Sequence, residues 1–186
     1  MRLFICIELE EEQLDVVEKA KERLKIESRK GRFVKSEHTH LTLVFIGEVE
    51  DHRLDDVIQA IEKISFKEFQ LHMSGLGWFQ KRSGKIYWIG FERNEELLRL
   101  QKDLQGELKD QGFNLEKREY TPHVTIGRNV KVKEDFNPST YTELIQGRCT
   151  RVKEIVLKKS ENQDRKMIHT RLYSKSAKNK SEEERN

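Results

Sequence analysis

One four-residue pattern occurs twice in this chain of 186 residues, and it constrains the fold more than any other feature. Residues 40–43 read His-Leu-Thr-Leu, and residues 123–126 read His-Val-Thr-Ile. Each copy lies in a stretch rich in apolar and β-branched residues that ends at a glycine, which predicts a β-strand. Because strand side chains alternate between two faces, the histidine and the threonine of each copy share one face. The apolar pair faces a core, and the imidazole and hydroxyl face another surface.

The two histidines are 83 residues apart (123 − 40 = 83), and the same offset places Leu3 on Ile86 and Leu14 on Leu97. A strand, a helix, a loop and a His-x-Thr-x strand therefore follow one another twice. Self-similarity at a fixed offset is the signature of a repeated structural unit. We predict a single α+β domain over residues 1–173, with an internal repeat of about residues 1–83 and 84–173. Two lobes related by a pseudo-twofold axis, each with an antiparallel sheet and helices, would enclose an active-site groove.

Local patterns predict the elements of this domain. Helices are expected around residues 14–24, 54–61 and 94–112, and strands at residues 3–9, 39–47, 66–76, 86–91, 121–127, 148–158 and 167–173. Loops are expected at residues 29–32, 75–84, 130–142 and 159–165. Residues 174–186 contain no aliphatic residue beyond Ala177 and are dominated by Lys, Ser, Glu and Asn, so we predict a disordered tail.

Composition narrows the class of protein. No run of about 18 apolar residues occurs, so no transmembrane helix is expected. The apolar run at residues 3–7 is ended by Glu8 and predicts a first strand rather than a signal peptide. Cys6 and Cys149 lack Cys-x-x-Cys spacing, which argues against a disulfide framework or a thiolate metal site. We predict a cytoplasmic monomer with no membrane partner, and the net charge of +3 permits an anionic ligand.

The paired motifs predict chemistry once a pseudo-twofold axis brings them together, because clefts between lobes are common ligand sites. With pKa values near 6.5, two histidines can divide the roles of general base and general acid at neutral pH. The hydroxyls of Thr42 and Thr125 can donate hydrogen bonds to anionic oxygens, and Arg128 can add a fixed positive charge. These groups suit proton transfer at a phosphate without a metal.

The same residues resemble the 2H phosphoesterases, a family with two His-x-Thr-x motifs, and within it the RNA 2′,3′-cyclic phosphodiesterase group, historically called 2′-5′ RNA ligases. The resemblance covers residues 1–173 in order and spacing, although the loop at residues 78–84 lacks the proline usual in the family. It implies a bilobal α+β fold whose motifs line a central groove. The matching segments are residues 32–34, 40–47, 87–90 and 122–128.

The resemblance also implies an activity, which is cofactor-independent and metal-independent hydrolysis of RNA or oligonucleotide 2′,3′-cyclic phosphate ends to 2′-phosphomonoesters. His123 would accept the proton of the attacking water, and His40 would donate a proton to the departing ribose oxygen. The remaining roles implied are Thr42 and Thr125 on the non-bridging oxygens, Arg128 as a fixed charge and Phe45 against the terminal base.

Strict alternation along a strand conflicts with two of these roles. Phe45 would share a face with Leu43 rather than with Thr42, and Arg128 would lie opposite His123. A β-bulge or a twist near the glycine that ends each strand would be needed to turn both side chains toward the groove.

Two alternative functions use the same residues. A 2′-5′ RNA ligase would run the reverse chemistry at the same site, and a degenerate phosphoesterase would bind nucleotide or RNA without turnover. Both histidines and both threonines are present, which favours the enzyme because a binding module needs no acid and base pair. A zinc site at His38 and His40 lacks a third ligand at suitable spacing. We expect His52, His72 and His169 to be surface or strand residues.

Overall fold

A computed structural model describes residues 1–164 and 166–178 of the chain. Within these ranges the chain forms nine strands and four α-helices, and 3-10 turns precede β3, α2 and α4. In chain order the elements are β1 (Arg2–Ile7), α1 (Glu11–Ile26), β2 (Ser28–Phe33), β3 (Leu41–Glu48), α2 (Leu54–Glu62), β4 (Phe69–Lys81), β5 (Gly84–Phe91), α3 (Glu95–Asp110), β6 (His123–Val132), α4 (Thr142–Ile145), β7 (Cys149–Val152), β8 (Glu154–Gln163) and β9 (Lys166–Ser176).

The strands form two antiparallel sheets, with the orders β3-β1-β8-β9 and β2-β6-β5-β4-β7. Helices α2 and α3 pack beside the first sheet, where α2 contacts β9 and α3 contacts β3. Helices α1 and α4 pack beside the second sheet, where α1 contacts β2 and β6 and α4 contacts β4. Each lobe therefore has one antiparallel sheet and two helices, and the predicted bilobal α+β fold is confirmed.

Each lobe takes elements from both copies of the repeat. The offset of 83 residues relates β1 to β5, α1 to α3, β3 to β6 and β4 to β8, to within two residues at every end. Strand β8 nevertheless completes the sheet of β1 and β3, and β4 completes the sheet of β5 and β6. The first helix of each copy also crosses to the other lobe. The repeat boundary near residue 83 stays a prediction.

Amphipathic helices supply much of the core. In α3 the leucines recur every three or four residues, so they form one apolar stripe that is buried against the sheet. The side chain of Asn94 caps the helix by accepting a hydrogen bond of 2.8 Å from the backbone N–H of Leu97. Gly112, two residues after the helix, adopts a φ of 82°, a conformation that favours glycine. The buried stripe consists of Leu97, Leu100, Leu104 and Leu108.

Several segments predicted as loops belong to strands, and those predictions were wrong. Residues 29–32 lie in β2, residues 75–81 continue β4, and the turn predicted at residues 159–165 is mostly taken up by β8. Strand β2 is an edge strand, and residues 75–81 of β4 and 161–163 of β8 pair with a neighbouring strand on one side only, so their polar sequences resemble loops.

The predicted disordered tail was also wrong for its first residues. Strand β9 continues to Ser176, and the N–H of the buried Ala177 donates to the Lys153 carbonyl over 2.7 Å. The N–H of Lys178 donates to the Phe66 carbonyl over 2.9 Å. Residues 179–186 lie outside the described part of the chain. Among the residues described, no helix is long and apolar enough to cross a membrane, and the monomeric state and cytoplasmic location stay predictions.

Candidate active site

A cleft of about 610 Å³ lies between the two sheets, and both His-x-Thr-x motifs contribute to its wall. Its volume falls within the range of about 300–1,000 Å³ that small-molecule sites occupy. The hydroxyl of Tyr120, in the segment before the second motif, donates to the Thr42 carbonyl of the first over 3.1 Å and so links the two lobes. The six site residues predicted from the sequence all line this cleft: His40, Thr42, Phe45, His123, Thr125 and Arg128.

Phe45 reaches the cleft because β3 contains a β-bulge. Consecutive residues of β1 pair with Thr42 and Val44, which leaves Leu43 without an opposite residue. Leu43 and Val44 are consequently both buried in the core, and the alternation of faces shifts by one residue. Phe45 then lies on the same side as Thr42, so strict alternation gave the wrong face.

Arg128 reaches the cleft because β6 also contains a β-bulge. Consecutive residues of β5 pair with Thr125 and Gly127, which leaves Ile126 without an opposite residue. The two bulges differ by the repeat offset (126 − 43 = 83), and so do the residues that they redirect, Phe45 and Arg128 (128 − 45 = 83). Each motif and the strand that continues from it thus present three side chains to the cleft, a histidine, a threonine and the residue three positions after the threonine.

The ring of His123 is fixed by a hydrogen bond and by aromatic neighbours. Its Nδ1 lies 2.6 Å from the carbonyl oxygen of Thr121, which can only accept, so Nδ1 carries the hydrogen. The ring meets Phe79 edge-on at 5.1 Å between centroids and lies 5.9 Å from Trp88. Burial lowers the pKa of His123. The ring is therefore neutral at pH 7, with an Nε2 that can accept a proton.

The ring of His40 is also buried among aromatic side chains, but its neighbours differ from those of His123. Its ring stacks on Phe4 at 4.8 Å and meets the edge of His169 at 5.3 Å between centroids. Its Nδ1 is buried and has no hydrogen-bond partner among the described residues. Burial, followed by the positive charges of His169 and Lys158, lowers the pKa of His40 to about 3. The backbone of His38 favours the protonated form of this ring, and an anion bound in the cleft would favour it further.

Sequence reasoning considered His38 only as a zinc ligand and His169 only as a surface or strand residue, and it did not predict that both surround His40. The rings of His38 and His169 lie 4.5 Å apart, and both side chains line the cleft. Burial, with the charges of His38 and Lys158, lowers the pKa of His169 to about 4. Sheet pairing alone brings the distant β9 beside the first motif, so no local signal could have shown this contact. Within the described residues, no group of three or more His, Cys, Asp or Glu side chains could hold a metal ion.

The positive charge of Arg128 has no carboxylate partner among the described residues. Its cross-strand neighbour is Arg32, and burial together with this second guanidinium lowers the pKa of Arg128. Arginine side chains keep their charge in proteins, and two adjacent guanidinium groups without a carboxylate favour an anionic ligand.

A two-lobed α+β fold with a histidine and a threonine from each lobe facing one cleft defines the two-histidine class of phosphoesterases. The chain belongs to the 2'-5' RNA ligase superfamily, whose family model matches residues 12–164.

Relatives support this assignment. The RNA 2',3'-cyclic phosphodiesterase of Thermotoga maritima is 32% identical over 149 residues, which span 78% of this chain and 76% of the relative. The protein of the same name from Methanothermobacter thermautotrophicus is 32% identical over 171 residues, which span 87% of this chain and 90% of the relative.

Solved structures share the fold. E. coli LigT complexed with 3'-AMP superposes with a TM-score of 0.81 at 24% identity, covering 96% of this chain and 98% of LigT. The protein TT0787 of Thermus thermophilus superposes with a TM-score of 0.81 at 23% identity, covering 95% of this chain and 97% of that protein.

Proposed function

We propose that this chain hydrolyses 2′,3′-cyclic phosphate ends of RNA to 2′-phosphomonoesters, using two histidines and no metal ion. The observation that carries the proposal is the convergence of both motifs on one cleft, with Phe45 and Arg128 at equivalent positions after them. The names of the relatives from T. maritima and M. thermautotrophicus support the choice of substrate.

His123 acts as the general base in this proposal. The hydrogen on Nδ1 is committed to the Thr121 carbonyl, so the lone pair of Nε2 is free to accept a proton from water. As this proton leaves, the water oxygen forms a bond to phosphorus. Burial keeps the ring neutral before the reaction, which is the protonation state that a base requires.

His40 acts as the general acid. The P–O3′ bond breaks as the new bond forms, and the departing oxygen takes the proton of His40, which leaves a 3′-hydroxyl and a 2′-phosphate. In the free protein this ring is neutral because burial disfavours its charge. The bound phosphate anion reverses this preference, because an opposite charge within about 4–6 Å favours the protonated imidazole.

Thr42, Thr125 and Arg128 stabilise the charge that develops on the non-bridging oxygens. All three side chains line the same cleft as the two histidines. Donors held in place before the reaction need no reorganisation in the transition state, which is why such groups contribute strongly to rate. Phe45 supplies an apolar ring against which the terminal base can stack.

The proposal is tested with an RNA that carries a 2′,3′-cyclic phosphate, incubated with the protein in EDTA, followed by identification of the monoester. We expect a 2′-phosphate to form at the same rate with and without EDTA. Loss of turnover in EDTA would contradict the metal-free mechanism, and a 3′-phosphate would contradict the assigned leaving oxygen. Binding without turnover would favour the degenerate binding module, and joining to a 5′-hydroxyl RNA would favour the ligase.

A further inference from the structure

A second cavity of about 340 Å³ adjoins the cleft at the β8–β9 hairpin, and the proposed mechanism does not use it. Three residues line both spaces, namely Arg2, Ser160 and Met167. The second cavity also falls within the volume range of small-molecule sites. A ligand that fills the cleft can therefore extend past these shared residues.

Arg2 lies where the two cavities meet. Its guanidinium carbon lies 4.9 Å from the centroid of the Phe45 ring. Phe45 is the residue proposed to stack against the terminal base. Among the described residues, Arg2 forms no ion pair. A guanidinium presents five N–H donors in a planar fork that matches the oxygens of a phosphate, so this position suits a phosphodiester.

The second cavity offers both apolar and polar contacts to a nucleotide. Met167 is one of the few large apolar side chains that are exposed, at 37% of its surface. Asn162 can donate to and accept from a base edge. Of the carboxylates there, Glu161 is paired with Lys159 at 2.6 Å, and Glu48 is 78% exposed. Neither places an unscreened negative charge deep in the cavity.

The chemistry of the substrate fixes where its chain must continue. A terminal 2′,3′-cyclic phosphate uses both the 2′ and the 3′ oxygens of its ribose, so the rest of the RNA is attached only through the 5′ oxygen. With the cyclic phosphate between His40 and His123 and the base against Phe45, the 5′ phosphodiester leaves beside the phenyl ring. Arg2, whose guanidinium carbon lies 4.9 Å from the centre of that ring, is a cation at that place.

We propose that Arg2 binds the phosphodiester on the 5′ side of the terminal nucleotide and that the second cavity receives the preceding nucleotide. The preferred substrate class is then single-stranded RNA of at least two nucleotides, rather than a cyclic mononucleotide. This inference rests on the proposed function of the cleft.

The test compares kcat/KM for a nucleoside 2′,3′-cyclic phosphate with kcat/KM for a dinucleotide that ends in the same cyclic nucleotide. Arg2→Gln should lower the value for the dinucleotide about tenfold more than the value for the mononucleotide, the size expected for one charge-assisted hydrogen bond. The slope of log(kcat/KM) against log[salt] for the dinucleotide should become shallower by about 0.7, because one phosphate contact is lost. Arg2→Lys should retain most of that slope.

Lys35 provides the matched control, since it is a cation that lines the same cleft from the segment after β2 and is paired with Glu37 at 3.6 Å. Lys35→Gln should not discriminate between the two substrates. A selective loss with Lys35→Gln but not with Arg2→Gln would place the RNA on the other side and overturn the inference. An equal loss on both substrates with Arg2→Gln, or no loss on either, would also overturn it.

Failure of the proposed function can be told apart from failure of this inference. If the wild-type protein turns over neither substrate, the proposed function is wrong, and binding still tests the subsite. Calorimetry would then compare a nucleoside 2′-phosphate with a dinucleotide ending in a 2′-phosphate. Weaker binding of the dinucleotide alone in Arg2→Gln would support the subsite, and any other pattern would refute it.

Discussion

In the proposed mechanism His40 and His123 are identical side chains with different tasks, and their neighbours differ accordingly. The Nδ1 of His123 is held by a carbonyl oxygen at 2.6 Å, whereas the buried Nδ1 of His40 has no partner among the described residues. His40 also lies beside His169 and Lys158, whose positive charges disfavour a second one. The fixed tautomer of His123 suits a base, and the charge-sensitive ring of His40 suits an acid that is protonated only with substrate bound.

The protonation of His40 should depend on His169. Replacing His169 with phenylalanine keeps an aromatic ring against His40 but removes the nearby positive charge that forms as His169 itself titrates. Since that charge lowers the pKa of His40, the pKa should rise in the variant. NMR titration of the His40 ring in the free protein measures the shift directly.

The control for this titration is His52→Phe, because His52 is 75% exposed at a distant turn and should leave the pKa of His40 unchanged. A pKa of His40 that stays constant or falls in His169→Phe would show that the two rings are not coupled electrostatically.

The two threonines should contribute to rate rather than to folding. Thr42→Val and Thr125→Val preserve shape but remove the hydroxyl that faces the cleft. Loss of one such donor lowers kcat by about 10² to 10³. Steady-state kinetics on a cyclic phosphate RNA would measure the loss, with Thr170→Val on the exposed side of β9 as the control. Wild-type kcat in both cleft variants would remove the threonines from the mechanism.

For individual residues, the sequence predicted which side chains line the cleft, but strict strand alternation did not predict the orientation of every one of them. The repeated motif identified His40, Thr42, His123 and Thr125 because a repeat can be recognised directly in the amino-acid sequence. The orientation of the residues after each motif depends on the bulges at Leu43 and Ile126; the resemblance required a bulge or twist to turn Phe45 and Arg128, but strict alternation along the strands does not contain one. The contact of His169 depends on long-range pairing of β9, which a linear pattern does not contain.

Among the secondary-structure elements, the β4–β5 hairpin supports the side of the cleft on which His123 lies. The ring of Trp88 lies so close to Gly77 that a Cβ there would be 2.2 Å from it, and Gly90 is similarly close at 2.7 Å. These two glycines allow the indole to lie flat on the sheet, next to the ring of His123. The hairpin thus supports His123 through a packed aromatic side chain.

The same chemical change should have opposite effects at two glycines. Gly77→Ala forces the Trp88 ring to move and should lower the free energy of unfolding by about 1–3 kcal/mol. Gly106→Ala lies in the exposed middle of α3, with nothing within 4 Å of the added methyl group, and should raise it by about 0.5–1 kcal/mol. Urea unfolding of both variants checks the signs, and a stabilising Gly77→Ala would contradict the packing described.

Element types were predictable where apolar periodicity was strong. The three long helices and the central strands carry regular apolar patterns, and they occur where the sequence places them. The edge strands β2 and β9 and the outer half of β4 were missed or shortened, because water faces them and their composition is that of a loop.

In the complete domain, each lobe contains strands and helices from both halves of the chain. Strands β8 and β9 come from the second half of the chain but complete the sheet of β1 and β3, and α1 crosses to the lobe of β5 and β6. The repeat visible in the sequence indicates two copies, but it does not show which strand completes which sheet. Long-range pairing decides this, and the resulting interdigitation holds both motifs at one cleft.

This exchange predicts that neither half folds alone. Fragments of residues 1–83 and 84–178 would each lack strands that cover their apolar faces. We expect each fragment to give poorly dispersed NMR spectra and no cooperative unfolding transition, whereas the full chain unfolds in one transition. A cooperative transition in either isolated fragment would contradict the interdependence of the lobes.

The most direct test of the two-histidine mechanism is a measurement of the single-turnover rate on one cyclic phosphate RNA for three variants, His40→Ala, His123→Ala and the double variant. Each single change should lower the rate by about 10² to 10⁴, or roughly 3–5 kcal/mol of barrier, while thermal unfolding stays cooperative. Because an acid and a base act as a unit, the double variant should lose little more than either single one. Near-wild-type turnover in either single variant would contradict the two-histidine mechanism.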